Sequence, residues 1–300
     1  MAPLTDFSAI FELAKKHRRT LAVVSVEKPA LVEATGEAQK EGLAEPIFIG
    51  DEKVVKKLTA EVFPKGKSPQ IIHQPDHTLA VKTACDLVKA GKAQAVMKGD
   101  LSTAVFMKGI LDKETGLNTG RLLSHIAVLS IPTYPKLMFI TDGGLNLFPD
   151  LATKVNIVQS AIECAHRLGY DNPKVACLAG VETVDEKQPD TMDAAVLVEM
   201  NIRGQISGAV IDGPLAFDLA VSKESAKEKK VVSPVAGDAD IFLVHTMFSG
   251  NILAKGLMYL GGAKAAGIVV GAQAPIILLS RADDAGTKLR SIALGMAVGC

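Results

Sequence analysis

The sequence predicts an α/β protein of two lobes, each a mainly parallel sheet flanked by helices, and three observations carry that prediction. Short apolar runs recur along the chain and alternate with segments of helical period. The runs are nearly continuous in apolar residues, as strands buried on both faces are. The chain is 300 residues long and 48% apolar, enough for a large core at a length where one core begins to divide into two.

Taken in order, the opening stretch MAPLTDFSAIFELAKKHRR sets Asp6 and Glu12 inside its apolar period, which makes it an amphipathic helix rather than a secretory leader. Strands are expected at 21–26, 46–50, 94–99, 125–130 and 137–144, then at 174–180, 208–214, 240–245, 267–271 and 275–281. Helices are expected at 79–91, 153–169, 216–229 and 283–296. In the last of these, Leu289, Ile292, Ala293 and Met296 form one apolar face on a helix opened by acids. No internal repeat or low-complexity linker divides the chain. The expected lobes are 1–125 with 270–300, and 126–269.

Composition excludes several classes of function. The formal charge is zero, so no overall positive field draws the chain to nucleic acid or to anionic membranes. Tryptophan is absent and only Tyr134, Tyr170 and Tyr259 supply phenols, leaving little surface for stacking on bases. The longest uncharged run, 265–280, is 16 residues and is broken by Gly267, Gly271, Gln273 and Pro275, too short to span a bilayer. Cys85, Cys164, Cys177 and Cys300 show no short paired spacing, which argues against a zinc knuckle or disulfide framework and for the reduced cytoplasm.

Several predicted strands stop in polar or glycine-rich residues: Lys98-Gly99, Thr141-Asp142-Gly143-Gly144, Asp212-Gly213-Pro214 and Ser280-Arg281. Ligands of open α/β sheets sit beyond the carboxyl ends of strands, so these residues are expected along one edge or cleft. APIILLSRADDAGTK (274–288) delivers Ser280 and Arg281 to a turn that starts a helix, where a guanidinium fork and free helix amides suit phosphate. The structural alternative is that Ser280 caps the helix and Arg281 pairs with Asp283 or Asp284. VMKGDLSTAVFMKGIL (96–111) repeats strand, glycine turn and helix, with Lys98, Ser102, Thr103 and Lys108 as anion ligands, or with Ser102 or Thr103 as a cap and solvated lysines. SGNILAKGLMYLGGAKAAG (249–267) sets Ser249, Gly250 and Asn251 before a helix and could cradle a nucleotide phosphate, although the dinucleotide fingerprint is absent.

Other signals are weaker. Pro75 lies between His73 and His77 and breaks the helix that would aim both rings at one metal. His125 and His245 fall at strand edges without a GxSxG elbow. Asp212, Asp218, Asp238 and Asp240 fall at turns or strand starts, where carboxylates cap backbone amides. No metal site is expected.

VIDGPLAFDLAVS (210–222), SPVAGDADIFLV (233–244), the 249–267 segment and the 274–288 segment together resemble, in order and spacing, the phosphate acetyltransferase and phosphate butyryltransferase family. KGDLSTAVFMKGIL with GLNTGRLLSHIAVL extends the likeness upstream, and the butyryl branch looks closest. The resemblance implies two α/β lobes like those of isocitrate and isopropylmalate dehydrogenases, with the active site in the cleft between them. It implies acyl transfer between coenzyme A and inorganic phosphate, a homodimer, and no metal or redox cofactor, with acyl-CoA and phosphate as small-molecule substrates. It sets Ser280 near the thiol, Arg281 on the phosphate, and Ser102, Thr103 and Lys108 facing the phosphate. Lys108 replaces the arginine of the acetyl branch, and Thr287 stands where that branch carries its proposed base, which leaves Asp283 and Asp284 as the nearest candidates for that role. Two rival readings are a metal-dependent decarboxylating dehydrogenase of similar fold and a catalytically silent acyl-CoA sensor.

Overall fold

The computed structural model describes residues 3–17, 19–63, 68–279 and 283–299. In chain order the elements are α1 (Phe7–His17), β1 (Thr20–Val24), α2 (Pro29–Lys40), β2 (Glu45–Gly50), α3 (Glu52–Val62), β3 (Gln70–His73), α4 (His77–Lys89), β4 (Ala95–Lys98) and α5 (Thr103–Ile110). Then come β5 (Ser124–Ser130), β6 (Met138–Thr141), α6 (Leu151–Arg167), β7 (Lys174–Leu178), α7 (Pro189–Ile202), β8 (Val210–Leu215), α8 (Phe217–Val221) and α9 (Lys223–Glu228). β9 (Ile241–Leu243), α10 (Met247–Tyr259), β10 (Lys264–Val270), β11 (Ile276–Ile277) and α11 (Ala285–Val298) complete the chain. Two compact units result: a terminal unit of Ser8–Arg121 and Ala266–Cys300, and a middle unit of Met1–Phe7 and Leu122–Ala265.

In the terminal unit the strands run β3-β2-β1-β4-β11-β10, parallel except where β10 meets β11 with Val269 opposite Ile276. Leu21, Ala22, Val23 and Val24 of β1 are fully buried, as a continuous apolar run at the centre of a covered sheet requires. From β1 the chain winds outward to β2 and β3, then returns to lay β4 on the other side of β1. That reversal makes the carboxyl ends of β1 and β4 a topological switch point, the place where open α/β sheets open a crevice for ligands.

In the middle unit the order is β5-β6-β9-β7-β8, antiparallel only between β5 and β6, where Ile126 faces Thr141. The chain leaves β7 for β8 on the outside and comes back to place β9 on the inside, so a second switch point lies between β7 and β9.

Three expectations need correction. β3 was not anticipated, because QIIH offers only two apolar residues on an edge strand and too short a period to detect. The single helix expected at 216–229 is two, since Ser222 adopts an extended backbone and its Oγ accepts from Ser225 N at 3.1 Å to cap α9. The strand expected at 275–281 is confined, among the described residues, to Ile276 and Ile277. Among those residues no helix is long and apolar enough to cross a membrane.

Candidate active site

At the switch point of the terminal unit lies a cavity of about 470 Å³, lined on one side by Lys28, Ala30 and Leu31 and on the other by Lys98, Gly99, Asp100, Leu101 and Ser102. Leu279 and Lys288 close it. Its shape depends on Gly99. A Cβ there would stand 2.2 Å from Val24 O and 2.4 Å from Ser25 O, so only glycine lets the turn after β4 press against the end of β1. Two backbone bonds complete that contact, Gly99 N to Val24 O at 2.8 Å and Asp100 N to Ser25 O at 2.7 Å.

The cavity is cationic. Lys98 Nζ donates to the carbonyls of Gly99 (3.0 Å) and Leu101 (2.9 Å), which folds its ammonium over the turn. Lys28 Nζ lies 2.9 Å from Asp100 Oδ1, and Asp100 Oδ2 accepts from Glu27 N at 3.1 Å, so the single lining carboxylate braces the wall. Lys288 Nζ donates to Asp283 O at 2.6 Å. Two helices begin here. α2 starts with Pro29 and has no side-chain cap on its first amides, while Ser102 caps α5 by accepting from Val105 N at 3.2 Å. Helix starts and lysines together favour an anion.

The expected phosphate residues divide accordingly. Lys98 and Ser102 line the cavity, with Ser102 also filling the capping role. Thr103 is the exposed first residue of α5, and Lys108 is exposed in its last turn, outside the lining. Ser280 and Arg281 lie outside the described residues. Asp284 rather than Ser280 is the cap of α11: its Oδ1 accepts from Thr287 N at 2.5 Å. Backbone and side-chain hydrogen bonds from Thr287 hold the Asp284 carboxyl below the usual carboxylate range, which makes it a poor proton acceptor at neutral pH. Thr287 is buried and accepts from Arg290 Nη2 at 3.1 Å, a structural hub with no acid to offer. Asp283 is half-buried and its carbonyl is held by Lys288.

Beside the cavity stands a group that the sequence did not announce. Ser25 Oγ lies 2.8 Å from His77 Nδ1, and His77 Nε2 lies 3.7 Å from Glu27 Oε1. Ser25 has φ of 55°, a left-handed conformation that costs a non-glycine residue energy. At 2% exposure, however, its hydroxyl is not placed to attack a substrate, and the group braces the end of β1. His73 is elsewhere, accepting from Glu52 N at 3.1 Å through Nδ1, so the two histidines share no site.

In the middle unit, Ser249, Gly250 and Asn251 lie within the first two turns of α10 rather than before it, because the helix already starts at Met247 behind the Thr246 cap. Thr246 and Ser249 form a capping box, with Thr246 N donating to Ser249 Oγ at 3.2 Å and Ser249 N to Thr246 Oγ1 at 3.3 Å. Gly250 is bare for a steric reason: a Cβ would meet Gly143 Cα at 2.8 Å. Asn251 Nδ2 points to Gly143 O at 3.4 Å. The loop carrying Gly143 is pinned by buried Asp142, which accepts from Gly144 N, Leu145 N, His125 N and Asn146 Nδ2.

At the carboxyl ends of β7 and β9 lies Lys154 of α6, only 2% exposed, its Nζ 2.5 Å from Asp193 Oδ2 and 2.8 Å from His245 Nδ1. Burial first, and the Lys154 charge second, lower the His245 pKa and keep the ring neutral. One signal could have revealed this: Lys154 precedes Ile157, Val158 and Ala161 by three, four and seven, so it occupies a slot of the buried face of α6. Of the four aspartates, Asp212 and Asp240 accept backbone amides as expected, Asp240 from Lys174 N at 2.8 Å, while three also or instead serve ion pairs. Asp238 and Asp240 bind Lys136 at 2.9 and 2.7 Å, Asp218 binds Lys229 at 3.2 Å, and Asp212 accepts from Gly213 N at 2.8 Å. Among the described residues no group of three histidines, cysteines or acids is placed to hold a metal ion.

A family profile described as "Phosphate acetyl/butaryl transferase" matches residues 53–296. The chain belongs to that family. It is 41% identical to the phosphate butyryltransferase of Clostridium acetobutylicum over 96% of each chain. Against the phosphate acetyltransferase of Thermotoga maritima the identity is 39%, over 95% of this chain and 97% of the other. Among solved structures, the branched-chain phosphotransacylase of Enterococcus faecalis superposes with a TM-score of 0.82 at 31% identity, covering 93% of this chain and 98% of that one.

Proposed function

We propose how this chain, an enzyme of the phosphate acyltransferase family, moves a short acyl group between coenzyme A and inorganic phosphate. The coenzyme A thiolate attacks the carbonyl carbon of an acyl phosphate. A carbon–sulfur bond forms, the carbon–oxygen bond to phosphorus breaks, and phosphate leaves with the electron pair. The reverse reaction retraces these steps. The observation that carries the reading is the convergence of Lys28, Lys98 and Lys288 with the starts of α2 and α5 on one cavity at the β1/β4 switch point.

In this reading Lys98, Ser102 and Thr103 orient the phosphate, and Lys108 adds charge at longer range. Arg281 neutralises the leaving phosphate and Ser280 holds the thiol, both assigned from the resemblance. Asp283 accepts the thiol proton, since Asp284 is committed to its helix and Thr287 is not acidic. Ser249, Gly250 and Asn251 contact coenzyme A, which is a substrate, and no metal or redox cofactor takes part. Butyryl and acetyl groups are the expected acyl chains, and the reduced cytoplasm is the expected compartment, consistent with the free, buried thiols of Cys85, Cys164 and Cys177.

A homodimer is part of the proposal. In α10 only Gly250 is buried, while Phe248, Ile252, Tyr259 and Leu260 stand 49%, 71%, 72% and 91% exposed. Phe148, 75% exposed, packs against Phe248 with ring centroids 5.6 Å apart and planes tilted by 46°, and extends the apolar stripe. Such a stripe suits a second copy of the chain.

Thiol release from a panel of acyl-CoAs, with and without phosphate, tests the reaction. Phosphate-dependent release is expected, and Arg281→Ala should lose roughly two to three decades in kcat, the usual cost of removing one donor at developing charge. Tight coenzyme A binding without any release would leave a sensor and sink the reading. Light scattering tests the assembly, with Phe248→Asp/Ile252→Asp expected to yield monomers.

A further inference from the structure

A second cationic concavity lies in the middle unit, at the amino edge of its sheet and so at the opposite strand ends from His245 and the start of α10. It measures about 590 Å³ and is lined by Lys174 at the start of β7, Lys223 and Lys227 of α9, and Lys230 beyond it. Val231, Val232, Ser233 and Pro234 supply the other wall. We infer that this groove is a binding site for a multiply charged phosphate compound with an aliphatic part, separate from the acyl-transfer site.

Three independent features carry the inference. The first is charge without counter-charge. The only lining carboxylate is Asp238, and it is already taken by Lys136 at 2.9 Å and Lys174 at 2.5 Å. Lys223, Lys227 and Lys230 have no ion-pair partner among the described residues, in a chain whose formal charge is zero. Neighbouring Lys229, by contrast, turns away to Glu182 and Asp218.

The second is the order of charges in α9. KESAKE spaces Lys223 from Lys227 and Glu224 from Glu228 by four, so like charges share each face and neither i,i+4 pair is attractive. Both lysines line the groove and neither glutamate does. Glu224 in the first turn and Lys227 in the last also suit the helix dipole, so what counts here is the face that the two lysines share.

The third is backbone. Lys230 has φ of 57°, the left-handed position after a helix where glycine is the usual residue. Its N donates to Lys227 O at 3.1 Å and Val231 N to Ala226 O at 2.9 Å, the bonds of a helix-ending turn. Keeping lysine where glycine would be unstrained points to a use for the side chain.

The ligand class follows from the lining. Lysines act on phosphate as point charges, and several of them converging suit more than one negative charge. The adjoining wall is aliphatic, with Val232 99% exposed, and the lining contains no aromatic ring on which a base could stack.

Calorimetric titration of the full chain with inorganic pyrophosphate and with an aliphatic bisphosphate tests the site. The wild type, Lys98→Gln and the triple variant Lys223→Gln/Lys227→Gln/Lys230→Gln are compared, with circular dichroism to confirm folding. Binding should survive Lys98→Gln, weaken with salt, and fall roughly thirtyfold or more in the triple variant. Tighter binding of the bisphosphate than of pyrophosphate, lost in Val232→Asp, would identify the organic compound rather than the inorganic ion as the occupant. Lys230→Gly should raise the unfolding temperature while weakening binding. The inference is overturned by unchanged affinity in the triple variant, by loss of binding in Lys98→Gln, or by binding of long polyanions alone. Because the three lysines lie outside the acyl-transfer site, failure here leaves thiol release untouched, and failure there leaves these titrations valid.

Discussion

Lys154 shows how much one side chain can decide. A lysine in the first turn of α6 opposes the helix dipole, and at 2% exposure it has also surrendered its hydration. It is retained through Asp193 and His245, and its charge acts back on the imidazole. Lys154→Met should therefore raise the His245 pKa toward its ordinary value, read by NMR titration of the ring, and cost about 3 kcal/mol because Asp193 loses its partner. The buried thiols follow the same physics in the other direction. Burial pushes the Cys85 thiol to about 11 and the Cys164 and Cys177 thiols to about 12, so mass spectrometry should find all three unmodified by alkylating reagents at neutral pH until the chain unfolds. At this scale the sequence was legible where residue type and place agreed. Lys98 stood out because a polar residue ended an apolar run, and Ser102 because a hydroxyl pair followed the glycine turn at a helix start. Lys28 and Lys288 did not, because nothing local tells a lysine facing a cavity from one facing water.

At the scale of elements, two close approaches of backbone shape the sites. Gly99 lets the turn after β4 touch the end of β1, and Gly250 lets α10 touch the loop at Gly143. Gly99→Ala should lower stability by about 2–3 kcal/mol in denaturant unfolding, since the new methyl meets backbone oxygens that have no room to retreat. It should also raise the KM for phosphate by deforming the cavity wall. Ser102→Ala should remove only about 1 kcal/mol, the worth of a cap, unless Ser102 also orients phosphate, in which case kcat/KM falls further than stability does. Strands and helices were largely visible as alternating apolar runs and helical periods. Two of the three corrections, the missed β3 and the helix broken at Ser222, share a cause: four edge residues and one capping serine are too local to alter a periodicity.

Across the whole molecule, acid stability should reflect helix caps. Hydrogen bonds from backbone amides, and for Asp150 and Asp284 also from the side chains of Thr153 and Thr287, hold the Asp51, Asp150 and Asp284 carboxyls below their ordinary range. A folded-state pKa below the unfolded one gives stability that is present above about pH 4 and lost as pH falls through the folded values. Thermal midpoints should thus be flat in carboxylate terms from pH 5 upward and drop below pH 4, with a shallower drop in Asp51→Asn/Asp150→Asn/Asp284→Asn. The sequence by itself determined the α/β class, the family and the alternation of strands with helices, because these rest on periodicity and on motifs that are contiguous along the chain. Only the tertiary structure decided which lysines share a cavity, which aspartates are spent on lysine pairs, and which way the sheets reverse at β1/β4 and β7/β9. Those are facts about strands brought side by side from distant parts of the chain, and no local pattern of residues encodes the neighbour that a strand will choose.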